Sequence, residues 1–210
     1  MVEPTVDRRW VVRGLLGVTL GAAMFGYLRP VLGQRRAPHP RPRTLGPLPE
    51  RSLYRLDASF RSDSGRPFAL RELRGKFQVL ALIFTRCPSV CPTLVHELLA
   101  LERAMPAEVS QATGFTLVSI DPSHDTPEAL HAYRKKLALD AEHWSLLRGE
   151  PEAVRDLSAL LGFSYSDTDG MPLAHSKLVT VLDRDGVVIH QQASVGADPD
   201  KLVDTILRAL

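Results

Sequence analysis

The chain has 210 residues, of which 44% are apolar and 24% charged, and its formal net charge is +2. That is enough apolar material for one cored domain plus an extension. Arg8, Arg9, Arg13, Arg29, Arg35, Arg36, Arg41, Arg43 and Arg51 hold much of the basic excess before residue 52, so the remainder is not basic, which argues against nucleic-acid binding.

Residues 1–33 read as a targeting segment. Arg8-Arg9-Trp10-Val11-Val12-Arg13 precedes the apolar stretch Gly14 to Leu28. That stretch is shorter than the roughly 20 residues that span a bilayer. It suits either a twin-arginine-like export signal or a membrane anchor extended to Leu32. No clean Ala-x-Ala cleavage site follows. Both readings put the rest of the chain on the extracytoplasmic (periplasmic) side, where a disulfide can form and thiols need a reductant. Residues 34–52 are rich in Arg and Pro and read as an extended linker. The main domain is expected over residues 53–210.

Within that domain Phe68 to Leu70 reads as a short strand after the turn Asp63-Ser64-Gly65. Phe77 to Phe84 is a near-continuous apolar strand, the kind buried on both faces. Pro92 to Met105 is expected to be a helix, with Leu94, Leu98, Leu101 and Met105 on one face. Phe115 to Ile120 reads as a second buried strand. A helix should start at Pro127, with Thr126 as its cap. Trp144 to Leu147 is read as a strand, and Glu152 to Leu161 as a helix ended by Gly162. Lys177 to Asp183 and Val187 to Gln191 should pair as a hairpin around Arg184-Asp185-Gly186. Asp198 to Leu210 is a last amphipathic helix. This alternation of strand and helix implies an α/β domain.

Cys87 and Cys91 are the chain's two cysteines, in Phe84-Thr85-Arg86-Cys87-Pro88-Ser89-Val90-Cys91-Pro92. The prolines bias both cysteines away from helical angles, so the helix is expected to start at Pro92 with Cys91 at its N-cap. A thiolate there would be favoured by the helix dipole, with a lowered pKa. Thioredoxin-type oxidoreductases space their cysteines by two residues, and this chain uses three. Two soft thiolates suit Cu(I) or zinc, but structural zinc wants four protein ligands. A purely structural disulfide is the bland alternative. So short a loop would constrain little of the unfolded chain.

Two further segments stand out. One is Ser119-Ile120-Asp121-Pro122-Ser123-His124-Asp125-Thr126-Pro127-Glu128. The other is His175-Ser176 leading into Lys177-Leu178-Val179-Thr180-Val181-Leu182-Asp183-Arg184-Asp185-Gly186. With the cysteine segment, and in this order, they make the domain resemble the Sco/SenC family of copper proteins, which assist assembly of cytochrome c oxidase. The resemblance implies a thioredoxin-like three-layer α/β sandwich with an additional hairpin, and tethering by an N-terminal helix. It implies copper, Cu(I) or Cu(II), held by Cys87, Cys91 and His175. The partners implied are the copper-site subunit of the oxidase, a thiol reductant, and the membrane through the N-terminal segment. Two positions depart from the family pattern: Ser89 and Ala174 stand where an Asp is common, which removes local negative charge beside the ligands.

The leading expectation is a copper metallochaperone that needs no turnover. The alternative is a thiol–disulfide oxidoreductase that reduces the oxidase's copper-ligand cysteines, with Cys87 and Cys91 as its redox-active pair. A peroxide-reducing enzyme of the same fold is a weaker rival, since no third group for peroxide activation is evident. Of the other histidines, His96 is expected to face solvent and His124 to lie at the surface or cap a helix. Asp121 and Asp125 read first as structural groups, Asp121 in the turn with Pro122 and Asp125 or Thr126 as the helix cap; the alternative is a site pair that tunes the metal or orients a partner.

Overall fold

The computed structural model describes residues 46–168, 171–174, 177–196 and 198–210, with residues 165–168 and 171–174 described by their backbone alone. The targeting segment and residues 34–45 of the linker lie outside the described residues, as does His175. No helix among the described residues is long and apolar enough to cross a membrane.

Phe60–Ser62 (β1) and Pro67–Phe68 (β2) pair antiparallel. The apolar run predicted as the first long strand forms Phe77–Ile83 (β3), and every residue in it is buried. After it come Val90–Ala104 (α1), Ala107–Ala112 (α2) and Thr113–Ser119 (β4), the last again buried at every position. Successive residues of a strand face opposite sides of the sheet, so full burial means that both faces are covered. Pro127–Leu137 (α3), Trp144–Gly149 (β5) and Pro151–Leu161 (α4) follow. Tyr165–Thr168 (β6) and Met171–Ala174 (β7) pair with each other as a separate two-stranded sheet. Val179–Leu182 (β8) and Val188–Gln192 (β9) make the hairpin read around Gly186, and Pro199–Ala209 (α5) ends the fold.

The main sheet runs in the order β2-β1-β5-β4-β3-β8-β9. β3, β4 and β5 are mutually parallel, and the register pairs Ile83 with Ser119 and Ser119 with Arg148. The loops that leave β3 and β4 therefore emerge side by side. β8 runs antiparallel to β3, with Val179 beside Ala81, so the chain enters β8 at that same end. Local chemistry fixes the helices. Thr126 caps α3 by accepting from the Ala129 N–H at 3.3 Å, with Pro127 at the first position. Asp198 caps α5 by accepting from the Lys201 N–H at 3.1 Å. α4 starts at Pro151 and stops at Gly162, whose φ of 66° is left-handed.

The structure differs from the sequence reading at several places. α1 begins at Val90, two residues before the predicted start, with Ser89 as N-cap. The bias imposed by a following proline is weak, and the helix accommodates Pro92 in its first turn, where no intrahelical N–H is needed. Leu70 belongs to a 3-10 turn, Leu70–Leu73, and the short strand stops at Phe68. Gly46 to Ser52, read as linker, already touch the sheet domain. Arg74 donates to the Gly46 carbonyl at 2.7 Å, and the Ser52 hydroxyl donates to the Asp185 carbonyl.

The β8–β9 turn rests on one glycine. Asp183 Oδ1 accepts the N–H groups of Asp185 and Val187, both at 2.9 Å, and Gly186 takes a φ of 82°. A Cβ at Gly186 would lie 2.6 Å from the Tyr54 ring. Gly186→Ala should therefore combine left-handed strain with overpacking and lower stability by about 2 kcal/mol. Urea unfolding checks this, with a reduced midpoint at unchanged slope as the expected result.

Candidate metal centre

β3 delivers Phe84, Thr85 and Arg86 into the loop that carries Cys87. The Cys87 N–H turns back to the Phe84 carbonyl at 3.2 Å. α1 then begins at once, so Cys91 lies in its first turn and does not cap it. Its backbone N–H donates to Cys87 Sγ at 3.3 Å. A donor left over at the helix N-terminus is thus satisfied by the other cysteine's sulfur, which serves as the side-chain acceptor. Both cysteines are buried free thiols, with 8% and 4% of their surface exposed.

The expected fall in the Cys91 pKa is reversed. Burial pushes the Cys91 thiol up to about 12; Cys87 and Asp125 add to the rise, against a backbone hydrogen bond at Phe84. Removal from water disfavours the charged sulfur more than the start of the helix favours it.

The second motif turns out to hold the first. Asp125 is fully buried and reaches across to the loop after β3. It accepts from the Thr85 N–H at 3.1 Å, from the Thr85 hydroxyl, and from the Ser119 hydroxyl. Asp121, whose side chain is 4% exposed, grips Arg86 through Nε at 3.0 Å and Nη2 at 2.7 Å. Its other oxygen, Oδ1, accepts from the Ser123 hydroxyl at 2.9 Å and lies 2.8 Å from His124 Nδ1. Two carboxylates from the loop after β4 therefore clamp the two residues just before Cys87. This corrects the reading of Asp125 as a cap, since Thr126 alone caps α3 and Asp125 acts 40 residues away; Asp121 keeps its place in the turn through Ser123 and His124 and also reaches Arg86. Thr85, Arg86 and Ser119 were not singled out beforehand. The signal available was positional, because parallel neighbouring strands bring their C-terminal loops together.

Tyr133, on the buried face of α3, completes the surroundings. Its hydroxyl is buried and has no hydrogen-bond partner among the described residues. Burial, then the neighbouring Cys91, Cys87 and Asp125, hold the phenol well above the usual tyrosine range.

The other histidines are dispersed. His96 is exposed on α1, with Nδ1 2.7 Å from the Pro92 carbonyl, and His124 is exposed on the rim beside Arg86. His131 sits 3.5 Å from Asp63, and His143 2.9 Å from Glu102. Among the described residues no cluster of three or more His, Cys, Asp or Glu side chains could hold a metal ion. The described part of the site is the cysteine pair and its clamp.

Burial raises the Asp121 carboxyl, but hydrogen bonds from His124, Arg86 and Ser123, with the Arg86 charge, outweigh it and hold the group below the ordinary carboxylate value. The folded state thus binds this proton less readily than the unfolded chain. The stability it contributes is present above the unfolded value near pH 4 and is lost as pH falls through the folded one. Asp121→Asn should cost about 1–3 kcal/mol at pH 7. It should also flatten the acid side of the stability profile, measured by urea unfolding at a series of pH values from 2 to 7.

The SCO1/SenC family model matches residues 50–210. A SCO1 protein homolog from Bacillus subtilis is 24% identical over 142 residues, 68% of this chain and 67% of the relative. The structure of Arabidopsis thaliana ScoI with copper bound superposes with a TM-score of 0.63 at 24% identity, over 72% of this chain and 96% of that one. A structure of BsSco, described as a member of the Sco family of cytochrome c oxidase assembly proteins with a disulfide switch, gives 0.63 at 21% identity, over 72% and 90%. The fold is the mixed α/β, thioredoxin-like fold of these structures.

Proposed function

The chain belongs to the SCO1/SenC family, and on that premise we propose that it is a copper metallochaperone, binding one copper ion through Cys87, Cys91 and His175 and delivering it to the dinuclear copper site of cytochrome c oxidase during assembly. The observation that supports this most directly is the pair of reduced sulfurs. They are buried together at the end of β3, one of them accepting the other residue's N–H at 3.3 Å. Two such sulfurs are soft donors that suit a soft monovalent cation. The donor set present therefore fits copper as cargo. The copper-bound Arabidopsis relative has the same fold.

His175 supplies the third donor in this reading. It precedes Val179 closely in sequence, and the chain enters β8 at Val179 beside Ala81, at the cysteine end of the sheet. An imidazole added to two thiolates also serves Cu(II). Delivery then proceeds by ligand exchange. Thiols of the acceptor lose protons as their sulfurs take the ion, and the two cysteines here regain protons as they release it. The flanking clamp keeps the Cys87 loop in place throughout. A tether formed by residues 1–33 would hold this domain at the extracytoplasmic membrane surface, where the oxidase is assembled.

The two free thiols also support a second reading, as a thiol–disulfide oxidoreductase. In that step both cysteines are oxidised to a disulfide, and two electrons and two protons pass to a disulfide of the oxidase subunit. An external thiol reductant then restores the pair. The two roles separate at His175, which the redox step does not use.

Anaerobic copper titration of the full chain against a competing chelator tests the proposal. One equivalent should bind to the wild type, and none should survive competition in Cys87→Ser or Cys91→Ser. Full retention in either variant would sink the proposal. His175→Ala should keep Cu(I) but lose most Cu(II), seen as loss of the sulfur-to-copper absorption band. Disulfide-reducing activity that survives His175→Ala and copper removal would favour the second reading.

A further inference from the structure

Three polar groups crowd one nitrogen beside the cysteine loop. His124 Nδ1 lies 2.9 Å from Arg86 Nη2, 3.0 Å from the Ser123 hydroxyl and 2.8 Å from Asp121 Oδ1. A guanidinium nitrogen only donates, and an ionised carboxylate only accepts. An imidazole nitrogen either carries a proton or offers a lone pair, never both. The Arg86 contact therefore needs a bare Nδ1, and the Asp121 contact needs a protonated one. The two hydrogen bonds are alternatives.

The surroundings accommodate each in turn. With Nδ1 bare, Arg86 Nη2 spends one N–H on Asp121 Oδ2 at 2.7 Å and the other on His124, while the Ser123 hydroxyl fills Asp121 Oδ1 at 2.9 Å. With Nδ1 protonated, it donates to Oδ1, and its N–H then faces that of Arg86 across 2.9 Å. Two donors so placed repel, and one of them must move. The carboxylate is the fixed point, because the Asp121 side chain is 4% exposed and that of Arg86 38%. An imidazolium carries a proton on both nitrogens, so only the second arrangement is open to it. The other charged groups that neighbouring elements bring to this loop are engaged elsewhere. Arg148 of β5 donates to the Pro122 carbonyl at 3.0 Å and to Glu150 at 2.9 Å, and Glu128 of α3 is hydrogen-bonded to Thr126.

We propose that His124 is a positioning residue for the cysteine loop, set by a proton: bare at Nδ1, it accepts from Arg86 and completes the hold on the residue before Cys87; protonated there, it donates to Asp121 instead and displaces Arg86. The ring is exposed, so it takes its proton from solvent. The loop that carries Cys87 is held more firmly at high pH and loosens as pH falls. The device depends on the clamp alone, so it stands or falls apart from the copper reading.

Nuclear magnetic resonance of the full chain without metal, titrated from about pH 5 to 8, tests this. It follows the His124 ring nitrogens, the Arg86 Nε–H and the Cys87 amide. At the upper end of the range Nδ1 should resonate as a bare nitrogen, with the proton on Nε2. As pH falls, the Arg86 and Cys87 signals should move with the midpoint of the ring. The Cys87 amide, which donates to the Phe84 carbonyl, should lose protection from hydrogen exchange. His124→Gln offers Arg86 an acceptor that does not titrate, so in that variant both signals should keep their high-pH positions. A proton on Nδ1 at the upper end overturns the proposal. So do Arg86 and Cys87 signals that ignore the ring's midpoint, or that follow pH as before in His124→Gln. The first two readings are made on the wild type and decide the matter even where the variant fails to fold.

Discussion

A carboxylate with no access to water ties the molecule together at its functional end. Asp125 hydrogen-bonds both the backbone and the side chain of Thr85, and a hydroxyl from its own strand end. A buried charge is tolerable only when its lone pairs are filled, and removing any partner is costly. That makes the arrangement all-or-none. The parallel register of β3 and β4 must be right, the two loops must leave level with each other, and α3 must begin where Thr126 caps it. The Arg86–Asp121 pair adds a second, more exposed clasp at the next residue along.

The sulfurs owe their environment to the same construction. Had the cysteine loop been free, water would reach both thiols and the start of α1 would govern their chemistry. Held down against the sheet, Cys91 is controlled by desolvation, and its thiol is disfavoured from ionising. The helix start instead contributes a hydrogen bond, the Cys91 N–H that the Cys87 sulfur accepts.

Much of this was legible in the sequence. β3 and β4 are buried at every position because they are covered on both faces, and their largely apolar runs announce it. The caps at Thr126 and Gly162 follow from side-chain chemistry that acts within a few residues. Cys87 and Cys91 stand out by type and spacing. The short strand Phe60–Ser62 was missed because three residues are too few for a periodic signal, and its identity comes from pairing with β5. The start of α1 was misplaced because a proline after a residue biases its backbone only weakly. The roles of Asp121 and Asp125 were read as local because their partners lie 35 and 40 positions away, and only the parallel topology makes them neighbours.

The clamp also bears on speed. Flexible ligand loops must be ordered each time an ion arrives and are released each time it departs, so uptake and release both carry a conformational step. Here the backbone around Cys87 is set when the chain folds, by side chains that are not themselves proposed donors. For the carrier proposed above, that would leave residence time on the Cys87 side governed by the bond at sulfur, since the loop there is already held in place.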